Sequence, residues 1–317
     1  MSLSQYENDL IDKMLSGDRV ALARLITFAE SRHGSLPAVL KRLDTLSERS
    51  YIIGVTGPPG AGKSTLTNRL IAHYRSLGKT VGVLAVDPSS PFSGGAILGD
   101  RIRMHDHSMD DGVFIRSIST RGTHGGISRA SREIIKLFSA FGLDYVIVET
   151  VGVGQSELDV IRIADTVLVV LVPEAGDGVQ TMKAGLMEIA DIFVVNKCDR
   201  EGANLITAEI RQIVSLKSHS KEWKQPVLMT SAARGEGIDK LADEVENHRE
   251  FQEKTGRLKQ KRETRREEEF SEIVKEAVEA AVSEKLTRKE IKKIYDRVKR
   301  GEIDPYEGAK LVLSKII

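Results

Sequence analysis

Gly57-Pro58-Pro59-Gly60-Ala61-Gly62-Lys63-Ser64 is the stretch that decides the fold. It fits G-x-x-x-x-G-K-[ST], a loop whose glycines let successive backbone N–H groups turn inward onto phosphate oxygens. An apolar run, Tyr51–Thr56, precedes it and an amphipathic stretch, Thr65–Leu77, follows it, so the loop joins a strand to a helix. The helix N-terminus adds its dipole to the anion site. In such a loop Gly57, Pro58, Pro59, Gly60, Ala61, Gly62 and Thr65 surround the phosphates of a nucleoside triphosphate. Lys63 reaches the β- and γ-phosphates, and Ser64 sets its hydroxyl on Mg²⁺.

Outward from this loop, short apolar runs recur at Thr80–Val86, Val113–Ile118, Tyr145–Glu149, Val167–Val172, Ile192–Asn196 and Val227–Thr230. Runs of this length suit strands buried on both faces, and their alternation with amphipathic stretches indicates βαβ units. The fold class is therefore α/β: a P-loop NTPase with a mostly parallel sheet of about seven strands flanked by helices. Residues 1–48 read as an N-terminal helical segment, with Leu10, Met14, Leu22, Leu25, Ile26, Leu40 and Leu43 at helical spacing. Residues 49–245 form the nucleotide-binding domain and residues 246–317 a C-terminal helical arm. In the arm, Glu250–Glu269 is almost wholly charged and reads as a solvated helix. Behind it Phe270, Ile273, Val274, Ala277, Val278, Ala281 and Val282 form an apolar stripe at i, i+3, i+4 spacing that must bury against something.

Three further segments carry chemistry. Glu149-Thr150-Val151-Gly152 ends a strand where an acidic residue holds the Mg²⁺ hydration shell, and Gly152 can offer its N–H to the γ-phosphate. Common GTPases have Asp at this first position. The longer Glu149 therefore acts through water or after a loop movement. Asn196-Lys197-Cys198-Asp199 closes another strand and fits N-K-x-D. The Asp199 carboxylate suits the guanine N1–H and exocyclic amine, donors that adenine does not present together. Ser231-Ala232-Ala233 follows the last strand and fits the backbone contact to the guanine O6. Cys198 fills the variable position as an incidental small residue. The position directly after Gly152, which in Ras-like enzymes holds a water-orienting Gln, is Val153, and Gln155 comes two later. Slow intrinsic hydrolysis, accelerated by a partner, is the expectation.

Bulk composition narrows the rest. The 317 residues are 40% hydrophobic and 29% charged with a net charge of +1, so the balance implies neither nucleic acid nor an acidic ligand. The basic run Arg257–Arg266 is interleaved with acids and reads as a charge-laced helix face. No stretch reads as a membrane span or signal peptide, and one cysteine permits no internal disulfide. A cytoplasmic location is expected, or the mitochondrial matrix if a presequence has been removed.

Taken together, the segments resemble the MeaB/MMAA/ArgK GTPases of the SIMIBI class, chaperones of cobalamin-dependent acyl-CoA mutases. The resemblance rests on G-P-P-G-A-G-K-S at 57–64, V-D-P-S-S-P at 86–91, G-D-R-I-R-M at 99–104, R-G-T-H-G-G-I-S at 121–128, E-T-V-G-V-G-Q-S-E at 149–157 and V-P-E-A-G-D-G-V-Q at 172–180. It implies a homodimer, Mg²⁺-dependent hydrolysis of GTP to GDP, and docking onto methylmalonyl-CoA mutase or a relative. It implies gating of adenosylcobalamin loading and protection of the mutase, with an adenosyltransferase delivering the cofactor. It also implies that Asp87 and Asp100 lie near the metal with Ser64 and Glu149, and that Asp177, Gln180 and Lys183 form a third mobile loop that reports nucleotide state. Lys63, Glu149 and Lys183 are the residues expected to carry catalysis, Lys183 in the partner-stimulated reaction and not in the slow intrinsic one. Gly176 and Gly178 supply hinges for that loop.

The chain lacks a D-x-H-x-x-G segment, so it is not expected to hold cobalamin itself. His105-Asp106-His107 reads as a polar loop and Trp223 as a packing residue. A metal-insertion GTPase of the same class and a transport-protein kinase of the ArgK label are the alternatives. The first needs a His- or Cys-rich metal store, which the sequence lacks; the guanine motif speaks against the second.

Overall fold

The computed structural model describes residues 3–87, 107, 109–119, 129–150, 160–173, 188–217, 222–286 and 289–316. It divides into two compact units, residues 1–258 and 259–317.

The first unit is built on a seven-stranded sheet in the order β3-β2-β4-β1-β5-β6-β7. The strands are β1 (Tyr51–Thr56), β2 (Val81–Asp87), β3 (Val113–Ser119), β4 (Tyr145–Thr150), β5 (Thr166–Leu171), β6 (Ile192–Val195) and β7 (Val227–Met229). Every pairing between them is parallel. Each expected apolar run is a strand, shifted by no more than a residue at either end. Strand β1 lies between β4 and β5, with Tyr51 opposite Tyr145 and Ile53 opposite Thr166. The chain thus leaves β1 toward one side of the sheet and later returns to its other side. The C-terminal end of β1 opens at that reversal, where α/β sheets form ligand crevices.

Both faces of the sheet are covered, which is why its strands are apolar throughout rather than alternating. Along β4, Val146 and Val148 enter one core and Tyr145 and Ile147 the other, the period of two that a pleated strand dictates. The first core is closed by α1 (Gln5–Leu15), α2 (Arg19–Ser31), α3 (Leu36–Leu43), α5 (Arg129–Phe141) and α6 (Ala203–Lys217). The second is closed by α4 (Lys63–Ser76) and α7 (Ile238–Lys254). The N-terminal helices are therefore part of the sheet's own core: Leu22, Leu25 and Ile26 are fully buried with Phe138 of α5. Burial of each such side chain contributes about 1.5–3 kcal/mol.

Local chemistry sets where these helices begin. Ser4 and Glu7 form a reciprocal capping box at α1, and the Asp18 carboxylate accepts from the Val20 and Ala21 amides at α2. Arg19 then ties α2 to the sheet edge, donating to the Asp111 and Val113 carbonyls at 2.6 Å each.

A polar network fills the end of the sheet remote from the β1 loop. Tyr145 donates to Glu246 of α7 at 2.9 Å, Tyr74 reaches the same oxygen at 3.4 Å, and Arg249 lies over the Tyr51 ring at 5.1 Å. Tyr51 and Thr166 share a 2.6 Å hydrogen bond, and Thr166 bonds His248 Nδ1 at 2.8 Å. Burial pushes the Tyr51, Tyr74 and Tyr145 hydroxyls well above the usual tyrosine range, with the Glu246 charge adding to the shift. Trp223 packs here half-buried, its ring 4.7 Å from His248 and 5.2 Å from Phe251, a packing residue as expected.

The charged segment Glu250–Glu269 is not one helix. It breaks at Thr255–Gly256, where Gly256 takes φ 74 and α8 (Arg257–Leu286) begins. The break follows from Gly256 occupying the left-handed conformation that ends helices. Nor is the segment wholly solvated, because Gln252 is 4% exposed and donates to the Asp165 carbonyl.

In the second unit, α9 (Lys289–Lys299) and α10 (Pro305–Ile316) form a helical hairpin that buries Ile291, Ile294 and Ile303. Asp304 caps α10 through the Tyr306 and Glu307 amides, with Pro305 at its first position. Along α8, Phe270, Ile273, Val274 and Val278 are exposed, at 69%, 43%, 42% and 56%. Among the described residues, no helix is long and apolar enough to cross a membrane.

Candidate nucleotide site

The loop after β1 departs from extended backbone at its glycines. Gly57 has φ 140, and a Cβ there would stand 2.1 Å from the Val170 carbonyl oxygen of β5. Gly62 has φ 84, and its Cβ would meet Asn196 Nδ2 at 2.4 Å. Only glycine satisfies both the dihedral and the contact at these positions. Gly62 is the N-cap of α4, which is why that helix starts at Lys63 rather than at the expected Thr65. Between them lie Pro58, Pro59, Gly60, whose φ is also positive, and Ala61, which is fully buried.

Lys63 is 6% exposed, and its ammonium donates to the Gly57 carbonyl at 2.8 Å and the Pro58 carbonyl at 3.0 Å. It lies within the curl of the loop. The Ser64 hydroxyl donates to Glu149 Oε1 at 2.5 Å, bringing the first turn of α4 against the end of β4. Glu149 is itself buried at 7% exposure. A serine hydroxyl beside a carboxylate is a pair of hard oxygen donors, which suits Mg²⁺. Among the described residues no group of three or more His, Cys, Asp or Glu forms a metal cluster. The imidazole of His107 sits 3.2 Å from the Asn68 carbonyl of α4, while His105 and Asp106 lie outside the described residues. Asp87 ends β2, but its side chain, like Asp100, Gly152, Asp177, Gln180 and Lys183, lies outside them too.

The second half of the site stands at the ends of β6 and β7. Asn196 is 2% exposed and holds three neighbours with one carboxamide. Its Nδ2 donates to the Ala61 carbonyl at 2.8 Å. Its Oδ1 accepts from the Ala232 amide at 3.0 Å and from the Thr230 hydroxyl at 3.1 Å. The β1 loop and the loop after β7 are thereby fastened to each other. Lys197 follows with φ 57, a left-handed conformation that costs a non-glycine residue about 1–2 kcal/mol. The turn lets Cys198 donate its amide to the Thr230 carbonyl at 3.0 Å and projects Asp199 toward Ser231. The Ser231 hydroxyl donates to Asp199 Oδ1 at 2.8 Å and holds that carboxyl below its usual range, with the Asp199 amide and Arg234 adding to the effect. The Cys198 thiol is pushed up by burial and by nearby Glu236 and Asp199, so it stays protonated.

Ser231, Ala232, Ala233 and Arg234 form a β-turn closed by the Arg234 amide on the Ser231 carbonyl at 3.0 Å. The Ala232 amide is engaged by Asn196, which leaves Ala233 as the turn's other alanine amide. One contributor had no signal in the sequence. Arg69, on the outer side of α4, donates from Nε to the Ala232 carbonyl and from Nη2 to the Ala233 carbonyl, both at 2.9 Å.

Lys63, Ser64, Glu149, Asn196, Lys197, Asp199, Ser231, Ala232 and Ala233 thus gather at the C-terminal edge of one sheet, from strands β1, β4, β6 and β7. The family model for the methylmalonyl-CoA mutase-associated GTPase MeaB matches residues 22–287. A Pyrococcus abyssi protein named as a GTPase is 49% identical over 98% of this chain and 97% of its own. The mouse mitochondrial methylmalonic aciduria type A homolog is 35% identical over 98% of this chain and 81% of its own. A crystal structure of an LAO/AO transport system kinase superposes with a TM-score of 0.73 at 29% identity, covering 100% of this chain and 99% of that one. The chain belongs to the MeaB family of methylmalonyl-CoA mutase-associated GTPases.

Proposed function

We propose that this GTPase is a Mg²⁺-dependent chaperone of a cobalamin-dependent acyl-CoA mutase, methylmalonyl-CoA mutase or a close relative, and gates the loading of adenosylcobalamin. The observation that carries the nucleotide half is the double fastening by Asn196, which sets the phosphate loop and the Asp199–Ser231 pair at a fixed separation. One end suits a triphosphate and the other a guanine. Lys63 neutralises charge on the β- and γ-phosphates, and the amides of residues 60–65 cradle them. Asp199 accepts from the guanine N1–H and 2-amine, and the loop after β7 donates to O6. Ser64 and Glu149, with Asp87 and Asp100, would hold Mg²⁺, which supplies charge neutralisation between the phosphates when bound. Asp177, Gln180 and Lys183 carry the nucleotide state to the mutase.

The mutase half rests on the family's association with methylmalonyl-CoA mutase and on the mouse relative's name. The exposed stripe on α8 supports a homodimer built through the C-terminal arm, since contiguous apolar surface of this kind marks an interaction site. The test is paired single-turnover GTPase assays with and without methylmalonyl-CoA mutase, on the native chain and on Lys183→Ala. Stimulation of the native chain, largely lost in the variant while intrinsic turnover stays within a few-fold, is the expected outcome. No stimulation of the native chain by any acyl-CoA mutase would defeat the chaperone role. The kinase label of the structural relative makes γ-phosphate transfer to a protein the competing activity, and the same assay with labelled GTP would detect it.

A further inference from the structure

Within the turn Ser231–Arg234, one peptide is not fixed by the turn's own closing bond. It is the central one, joining Ala232 to Ala233. In a β-turn this unit can rotate without breaking the closing bond, and the rotation separates the common turn types. Two contacts hold its carbonyl: Arg69 Nε at 2.9 Å and the Gly235 amide at 3.4 Å, of which the charged guanidinium is shorter and stronger. Arg69 Nη2 holds the next carbonyl, that of Ala233, at the same 2.9 Å. The planar fork therefore grips two consecutive peptides in a geometry that a point charge cannot reproduce.

A trans peptide directs its N–H opposite to its C=O. By holding the Ala232 carbonyl toward α4, Arg69 turns the Ala233 N–H to the far side. Because α4 starts at Lys63, the same helix carries the phosphate lysine and this brace. We propose that Arg69 is a positioning residue for base recognition, aiming the Ala233 amide at the 6-oxo group of the purine. This rests on the guanine assignment made above and adds to it a residue that does not touch the nucleotide.

The experiment measures dissociation constants of three probes on the full-length chain: GTP, 2-aminopurine ribonucleoside triphosphate and inorganic triphosphate. The second probe keeps the 2-amine but lacks both the 6-oxo group and the N1–H that accompanies it; the third reads the phosphate loop alone. Arg69→Ala is expected to weaken GTP about tenfold, the equivalent of one hydrogen bond, and to leave the other two probes unchanged. Arg69→Lys, which keeps the charge and loses the fork, is expected to weaken GTP by about half as much on a logarithmic scale. Equal weakening of GTP and the 2-aminopurine nucleotide would overturn the proposal, since Arg69 would then merely support the fold. Unchanged GTP affinity in both variants would overturn it too. A native chain that binds the two nucleotides equally well would instead refute the guanine assignment, and this proposal with it.

Discussion

Replacing Asn196 with alanine removes three hydrogen bonds in one step. The Ala61 carbonyl, the Ala232 amide and the Thr230 hydroxyl all lose their partner. The site is enclosed, with Asn196 at 2% exposure, Thr230 fully buried and Ala232 at 2%, so bulk water does not replace the lost contacts freely. Each such bond is worth about 0.5–1.5 kcal/mol net, and the three together about 3 kcal/mol. For a unit of this size one kcal/mol moves the melting temperature by about 2 °C, giving an expected drop of about 6 °C. Urea and thermal unfolding of the nucleotide-free protein would read this, together with an unchanged denaturant slope if the folded state stays compact. GTP affinity should fall as well, because the phosphate loop and the base loop are no longer fastened to each other. A loss of stability below about 0.5 kcal/mol would refute this account of the clamp, since it would mean that the three contacts are readily exchanged for water.

Asp199→Asn is expected to weaken GTP on the order of a hundredfold and to improve xanthosine triphosphate, as read by competition binding. The low-lying Asp199 carboxyl gives the pH dependence: ionisation lowered by the Ser231 hydroxyl favours the folded site above the ordinary carboxylate range and loses that advantage as pH falls through it. GTP affinity should therefore hold steady from neutral pH through the ordinary carboxylate range and fall only as pH drops through the lowered Asp199 ionisation, in isothermal titrations across pH. Tyr51, Tyr74 and Tyr145 are held by burial well above the ordinary tyrosine range and should not ionise until the protein unfolds. Because those three are raised in the folded state, the stability they contribute is complete below about pH 10 and is lost above it; phenolate absorbance and far-ultraviolet circular dichroism followed together against pH should show these hydroxyls ionising only as the fold is lost. If the proposed homodimer forms through α8, the double substitution Phe270→Glu with Val278→Glu should convert it to monomers by light scattering without lowering the melting temperature of the first unit, since both side chains are exposed in the single chain.

The sheet was legible because each strand is short and apolar, as in Tyr145–Thr150, which begins directly after Asp144. Small end shifts have local causes: β5 starts at Thr166 because its pairing with β1 begins there, opposite Ile53. The phosphate and base loops were legible because their chemistry needs fixed residue types at fixed spacing. What the sequence did not disclose depends on which helix lies beside which. Arg69 looks like a solvent-facing arginine, and only the crossing of α4 past the loop after β7 brings it to two carbonyls. The same holds for Glu246, which reads as one more charge on α7 until two tyrosines from α4 and β4 converge on it. The break at Gly256 was written in the sequence, but the dense charge on both sides masked it.

The strand order has a consequence for how the protein is made. Strand β1 and its phosphate loop leave the ribosome early, yet β1 has no sheet neighbour until Tyr145–Thr150 has been synthesised, and its second flank waits for Thr166–Leu171. The three N-terminal helices wait in the same way for Arg129–Phe141, against which they pack. At roughly 5–20 residues per second, the nascent loop stays without its framework on the order of ten seconds. A half-made chain therefore exposes the apolar faces of α1–α3 and both edges of β1 at once, while the base loop that completes the pocket is among the last parts of the sheet unit to emerge. Nucleotide can stabilise this fold only after nearly all of the first unit has been translated, so GTP acts on the finished protein and not as a template for its folding.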